Sequence, residues 1–349
     1  MNIQLIDYFI KEGQVSVELE TGISLMIHDE VFSPGTVRVH LPAPINASWL
    51  REGQLLDSEP MFRMVSVEDY PQRSVYFNEI LTANRAFSVD YAFSSVHTLM
   101  KPNMELVDMT AQKSFSVEQV NKFLGSHHCG CESYTMLPLD AVRIQDVCEE
   151  KGLPYLKEYR AFLSSIDENN PLIRREHGHN GSMVRDIYRF IITHFNQMHR
   201  TDHNIAFVSM CRMCGIPARW QGGWGTMGED LKTDAALHDW AMVHLLPYGW
   251  INVDCSFGAE AFDKGLSASG MDLTDYFFGN IDPGMVPTAS APMGDLYPAK
   301  DYERADHVFN AYGEVELVPG KMSPEEHFEG YGLKKGDYDS KIYLHPKSR

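Results

Sequence analysis

Cysteine is scarce in this chain, six in 349 residues, too few and too scattered for the dense disulfide framework of a small secreted domain. Such thiols are expected to stay reduced, several of them filling the core. Long apolar runs are missing as well. No stretch approaches the ~18 apolar residues of a membrane span. The opening "MNIQLIDYFIKEGQV" has neither a basic leader nor an apolar segment of signal-peptide length, so the expectation is a cytoplasmic protein. Positive charge is also in deficit. Lys and Arg number 30 against 48 Asp and Glu, a formal net charge of −18. That argues against nucleic acid and anionic membranes as partners, because phosphate binding needs a surplus of cations. Internal repeats and low-complexity tracts are absent too.

What is present suits a globular protein of more than one domain. Hydrophobic residues make up 44% of the chain and charged residues 22%, enough apolar material for real cores at this length. Residues 1–112 read as a β-rich, sandwich-like domain. "QVSVELETGISLMIHD", "GTVRVHLPAP", "QRSVYFNEIL" and "RAFSVDYAFSSV" carry β-branched and aromatic residues in partial alternation, broken by Gly, Pro and Asn. Residues 113–165 change character and read as a helical connector, with Leu139, Val142, Ile144 and Val147 at helical intervals.

A core follows at 166–320, and then a polar tail at 321–349 with room for one short strand. In "SMVRDIYRFIITHFNQM", Met183, Ile187, Phe190, Ile191 and Phe195 form an apolar stripe and predict a helix. "HNIAFVSMCRMC" predicts the next one, with Thr201 or Asp202 as its N-cap and Gly215 in the position of a left-handed C-cap. Strand-like runs come after: "ARWQGGWG", "HDWAMVHLLP", "GWINVDCSF" and "HVFNAYGEVELV". Helices first and antiparallel strands later define an α+β fold, not a doubly wound sheet.

Two of those strands carry a chemical pattern. His238 sits on one and Asp254 near the end of the next. An imidazole steadied by a neighbouring carboxylate is how a catalytic base is held, because the carboxylate fixes the tautomer and stabilises the imidazolium. Such a pair serves a nucleophile at a helix N-terminus, where the dipole favours a thiolate.

With Phe207, Arg212, Gly215-Ile216-Pro217-Ala218-Arg219, His238-Asp239-Trp240 and Gly249 to Asp254 in this order, the chain resembles the transglutaminase-like superfamily, a branch of the papain-like fold. "DYFFGNIDPG" at 275–284 and the β-rich leader resemble its bacterial members. The resemblance covers roughly 180–320 and implies a papain-like core of helices on an antiparallel sheet. It implies that His238 and Asp254 are the base and its orienter. It also implies a cysteine at the start of the helix, about fifteen residues before Gly215, and Arg200 stands there instead. Cys211 lies about 16 Å farther along the helix axis and cannot take that place.

The function expected is therefore a transglutaminase-like protein impaired in catalysis, a pseudoenzyme whose His–Asp cleft binds a peptide or an anionic ligand. Arg200 suits a carboxylate or another acceptor-rich group, and Trp220, Trp224 and Trp240 are candidate walls of a peptide groove. No cofactor is expected. Two alternatives stay open. One is an active cysteine protease, amidase or acyl transferase whose thiol comes from elsewhere, such as Cys129 or Cys131. The other is a metal-binding protein using His127, His128, Cys129 and Cys131, with His177 and His179 as a second half, although the spacing is tighter than a structural zinc site prefers. Asn196 or Gln197 is a further candidate, as a relic oxyanion donor.

Overall fold

The computed structural model describes residues 1–45, 47–67, 70, 72–110, 180–194, 200–213, 216–226, 235–290, 296–305, 310–320 and 331–346. The first half comprises α1 (Ile3–Glu12), β1 (Gln14–Ile27), β2 (Gly35–Pro42), β3 (Leu50–Glu59), β4 (Met64–Val65), β5 (Ser74–Leu81), β6 (Phe87–Thr98) and α2 (Met104–Met109). The expected strands are there, and a helix precedes them. Its signals are local: Asn2 accepts from the Leu5 N–H at 3.0 Å, Ile6 and Phe9 are buried one turn apart, and Gly13 at φ 71° closes the last turn. The β-rich reading of the first 112 residues passed over that capped segment. The span expected to be a helical connector, 113–165, lies outside the described residues.

The second half comprises α3 (Asn180–His194), α4 (Arg200–Met213), β7 (Ala218–Thr226), β8 (Ala235–Leu245), β9 (Gly249–Val253), α5 (Cys255–Lys264), the ribbon β10 (Ser267–Ala268) with β11 (Met271–Asp272), α6 (Leu273–Tyr276), β12 (Phe278–Gly279), β13 (Val286–Ala289), β14 (Glu314–Pro319), β15 (Tyr331–Gly332) and β16 (Tyr338–Pro346). Two expectations change. Helix α4 already begins at Arg200, so Thr201 and Asp202 fall inside its first turn and not at its N-cap. "GWINVDCSF" is a strand only as far as Val253; Asp254 caps α5, which sequence periodicity alone had merged with the strand.

Besides the β10–β11 ribbon, the described residues form three antiparallel sheets, with orders β16-β1-β6-β3, β15-β14-β2-β5-β4 and β12-β9-β8-β7-β13. The span expected to be a polar tail, 321–349, carries β15 and β16 among its described residues. β16 pairs with β1 along Leu19↔Pro346 to Ile27↔Tyr338, and β14 pairs with β2, so the last strands complete the two N-terminal sheets. Pairing partners more than 300 residues apart leave no local signal, which is why the sequence pattern shows a strand and not its destination.

The third sheet is packed on both faces. Along β8, Trp240 and Met242 join a core shared with α1 and the two N-terminal sheets, while Ala241 and Val243 join a second core beneath α3 and α4. This alternation is the two-residue period of a strand. Helix α3 presents Val184, Ile187, Tyr188 and Ile191 to that second core. Its start is held from a distance, where Asp108 of α2 accepts from the Gly181 N–H at 2.8 Å and from the Ser182 hydroxyl.

Candidate active site

β8 and β9 run antiparallel in the register Ala241↔Val253 to Leu245↔Gly249. That register brings the start of β8 alongside the point where β9 gives way to α5. His238 and Asp254 meet there, Nε2 to Oδ2 at 2.6 Å, both buried at 6% and 0% exposure. Sequence reasoning expected this pair, and the structure brings it together.

Asp254 is fixed by more than the histidine. As the N-cap of α5 its Oδ1 accepts from the Phe257 N–H at 2.9 Å and from the Ser256 hydroxyl at 3.0 Å. The Asp254 N–H donates to Phe277 O at 2.9 Å. A carboxylate with this many donors has one orientation, and its free oxygen is the one turned to the imidazole. Phe257 acts twice. Its N–H holds the cap, and its ring stacks on His238 with centroids 3.9 Å apart and planes 15° from parallel. The imidazole is therefore roofed on the side facing the N-terminal sheets, and the body of α4 packs against the opposite face of β8.

Behind the pair stands a second buried carboxyl. Asp239 receives the Trp220 indole N–H at 2.7 Å, and its backbone carbonyl accepts from Asn204 Nδ2 at 2.9 Å. Burial pushes Asp239 up to about 7, against the pull of His238 and of the Trp220 donor. Asn204 of α4 is fully buried, and its Oδ1 accepts from the Cys255 N–H at 2.9 Å. Neither Asp239 nor Asn204 was a candidate from sequence. Asp239 stood only as the middle residue of His-x-Trp, and Asn204 as one polar position in a helix whose buried face is not sharply patterned.

The described thiols, Cys211 and Cys255, are both buried. Burial raises the Cys255 thiol well above its ordinary range, and the nearby Asp254 carboxylate adds to this. That is the electrostatics of an inert core thiol, not of a nucleophile. Cys255 sits at the first position of α5, yet desolvation and the adjacent carboxylate outweigh any help from the helix dipole.

Arg200 opens α4, the position the resemblance assigns to the nucleophile. Trp220, Trp224 and Trp240, considered as groove walls, are core residues at 2%, 0% and 0% exposure. Their indole N–H groups are spent internally, on Asp239, on Ala311 O at 3.2 Å and on Gln221 Oε1 at 3.0 Å. The chain uses them to wall the sheet from within, so they present no ligand-facing surface. His127, His128, Cys129, Cys131, His177, His179, Asn196 and Gln197 lie outside the described residues. Among the described residues no cluster of three metal-ligating side chains occurs, and no helix is long and apolar enough to cross a membrane.

Comparison with known proteins adds to this geometry. Residues 186–255 match the sequence profile of the transglutaminase-like superfamily, a stretch that runs from α3 through the Asp254 cap and includes Asn204, Trp220, His238 and Asp239. A protein of unassigned function from Haemophilus influenzae is 26% identical over 250 residues, covering 58% of this chain and 66% of that protein, just under two thirds of its length. A crystal structure from Cytophaga hutchinsonii, provisionally named a cysteine protease, aligns over 95% of this chain and 99% of its own at 13% identity and a TM-score of 0.40. That likeness is too loose to bear on the site.

Proposed function

We propose that this chain, whose core belongs to the transglutaminase-like superfamily, is a member that has given up thiol chemistry while keeping the acid–base pair. On this reading it binds a peptide through an acceptor-rich group at the start of α4. One observation carries it: the His238–Asp254 bond stands intact while α4 opens on Arg200 and both described thiols are core residues. Without a nucleophile the pair can polarise a bound group but cannot start acyl transfer. A guanidinium at a helix start, where the helix dipole is positive, suits a carboxylate better than any amide.

Two measurements test this. Iodoacetamide treatment at neutral pH, read by mass spectrometry, is expected to show no cysteine that labels fast in the wild type and slowly in H238A. Titration with a short peptide ending in a free carboxylate, set against the same peptide as its amide, is expected to favour the carboxylate. R200A should lose that preference, roughly tenfold in affinity or more for one charge-assisted hydrogen bond. A single fast-labelling, His238-dependent thiol would replace this reading with an active cysteine acyl transferase or amidase. Equal binding of both peptides by wild type and R200A would remove the ligand half of it.

A further inference from the structure

The ladder between β8 and β9 ends before it reaches His238 and Asp254. Its outermost rung is Ala241↔Val253, and continuing the register would set Trp240 opposite Asp254. The Asp254 N–H points to the other side of β9, to Phe277 O, as strand alternation dictates, and the next β8–β9 rung, Asp239↔Cys255, is not made. His238 and Asp254 thus sit where the two backbones have begun to diverge, one near the start of a strand and the other at a helix cap. A hydrogen bond of 2.6 Å tolerates little drift between its carriers, because such bonds weaken steeply with distance and angle.

Asn204 spans this gap from the opposite face of the sheet. Its Nδ2 donates to the carbonyl of Asp239, the residue after His238, at 2.9 Å. Its Oδ1 accepts from the N–H of Cys255, the residue after Asp254, also at 2.9 Å. One partner can only accept and the other can only donate, so the orientation of the amide is dictated by its surroundings. At this size only asparagine supplies a donor and an acceptor side by side on one rigid plane without a protonated carboxyl. Aspartate lacks the donor, leucine lacks both, and serine reaches at most one partner.

We propose that Asn204 is a positioning residue for the His238–Asp254 pair: its carboxamide replaces the missing rung and sets the gap that the imidazole–carboxylate bond spans. This rests on reading those two residues as the retained acid–base pair. Asn204 touches neither side chain and acts through the backbone one residue beyond each.

The test reads the imidazole itself and needs no ligand. In 15N-labelled wild-type protein the His238 Nε2 proton, assigned by its loss in H238Q, is expected far downfield and protected from exchange with water. N204L is expected to remain folded and to lose this signal or exchange it roughly tenfold faster or more. Should N204L not fold, N204S takes its place with the same expected result. N280L is the control for structural cost, since Asn280 is a comparable buried clamp: it accepts from the Met100 N–H at 2.9 Å and donates to Met100 O at 2.9 Å and Tyr276 O at 3.0 Å. It should lower stability and leave the His238 proton as it was. If the Asn204 variant keeps a wild-type His238 signal, Asn204 is a core anchor only and the proposal falls alone. If the wild type shows no protected His238 proton, there is no pair to position, and the proposed function falls with it.

Discussion

Two buried polar clusters in this protein are built with opposite surpluses of charge. On the second sheet Glu314 of β14 faces His40 of β2 across the ladder. It takes Lys300 Nζ at 2.8 Å, Arg304 Nε at 3.1 Å and the Ala305 N–H at 2.8 Å. Burial works to raise its carboxyl, but the two cations win and hold it below the usual carboxylate range. Burial presses His40 down to about 3, and the same two cations and Arg38 add to it. At the third sheet the His238 imidazole shares the interior with Asp239, Asp254 and Asp282, all buried, with the Met1 amino group acting on Asp282. Burial and excess cation keep His40 neutral, and the cations favour an ionised Glu314. Burial, with the Asp254 carboxylate adding to it, raises Asp239 to about 7. The first arrangement ties the 296–305 segment to its sheet. The second places a movable proton beside the candidate site, the condition under which perturbed groups mark chemistry.

The sharpest way to break the contrast is to unbalance the closed cluster. In E314Q, Lys300, only 3% exposed, and Arg304 would lie buried beside a neutral amide. Removing one partner of a buried pair typically costs about 3–5 kcal/mol, to be read as a lowered midpoint in urea unfolding. A loss below about 1 kcal/mol would mean that water relaxes the cluster, and the two regions would then be alike.

The next effect has the opposite sign and belongs to the site. Asp239 has its carboxyl raised from 3.8 to about 7. The stability it contributes is complete below the unfolded value and is lost as pH rises through the folded one, because the unfolded state releases its proton first. D239N is free of this loss. It should match the wild type at acid pH and exceed it by about 2–4 kcal/mol above neutrality, measured by urea unfolding across pH. His40 runs the other way, its contribution present above 6.5 and lost as pH falls through about 3. Between the two unfolded values the Asp239 slope opposes those of His40 and of His97, which burial lowers to about 4, and D239N should steepen the acid-side slope.

Which parts of this could be read in the sequence follows from how local each device is. His238-x-Trp240 and Gly249 to Asp254 were legible because two strands and a short turn bring His238 and Asp254 together within 16 positions. The helix stripe of Met183, Ile187 and Ile191 was legible by its period, and all three are buried. Asn204 was not, since its partners are backbone atoms 35 and 51 positions away that any residue would supply. Glu314, Lys300 and Arg304 were not, since acid and base on a strand and a loop look like solvated surface until the fold stacks them. The tryptophans misled for a related reason: an indole reads alike whether its N–H meets a ligand or, as with Trp220, a buried carboxyl.

That Trp220 contact allows the smallest and most discriminating change. Its indole N–H is one of the influences that hold Asp239 down against burial. W220F keeps most of the ring's packing and removes the donor. The volume lost costs the same at every pH, whereas the missing hydrogen bond matters more once the carboxyl is ionised, since bonds to charged groups are the stronger ones. The penalty of W220F should therefore be greater near pH 8 than near pH 5 by about 1 kcal/mol. Asp239 should also titrate higher still, delaying its alkaline loss, as a 13C-carboxyl titration would record. A pH-independent penalty would make Trp220 a packing residue that does not oppose the proton at Asp239.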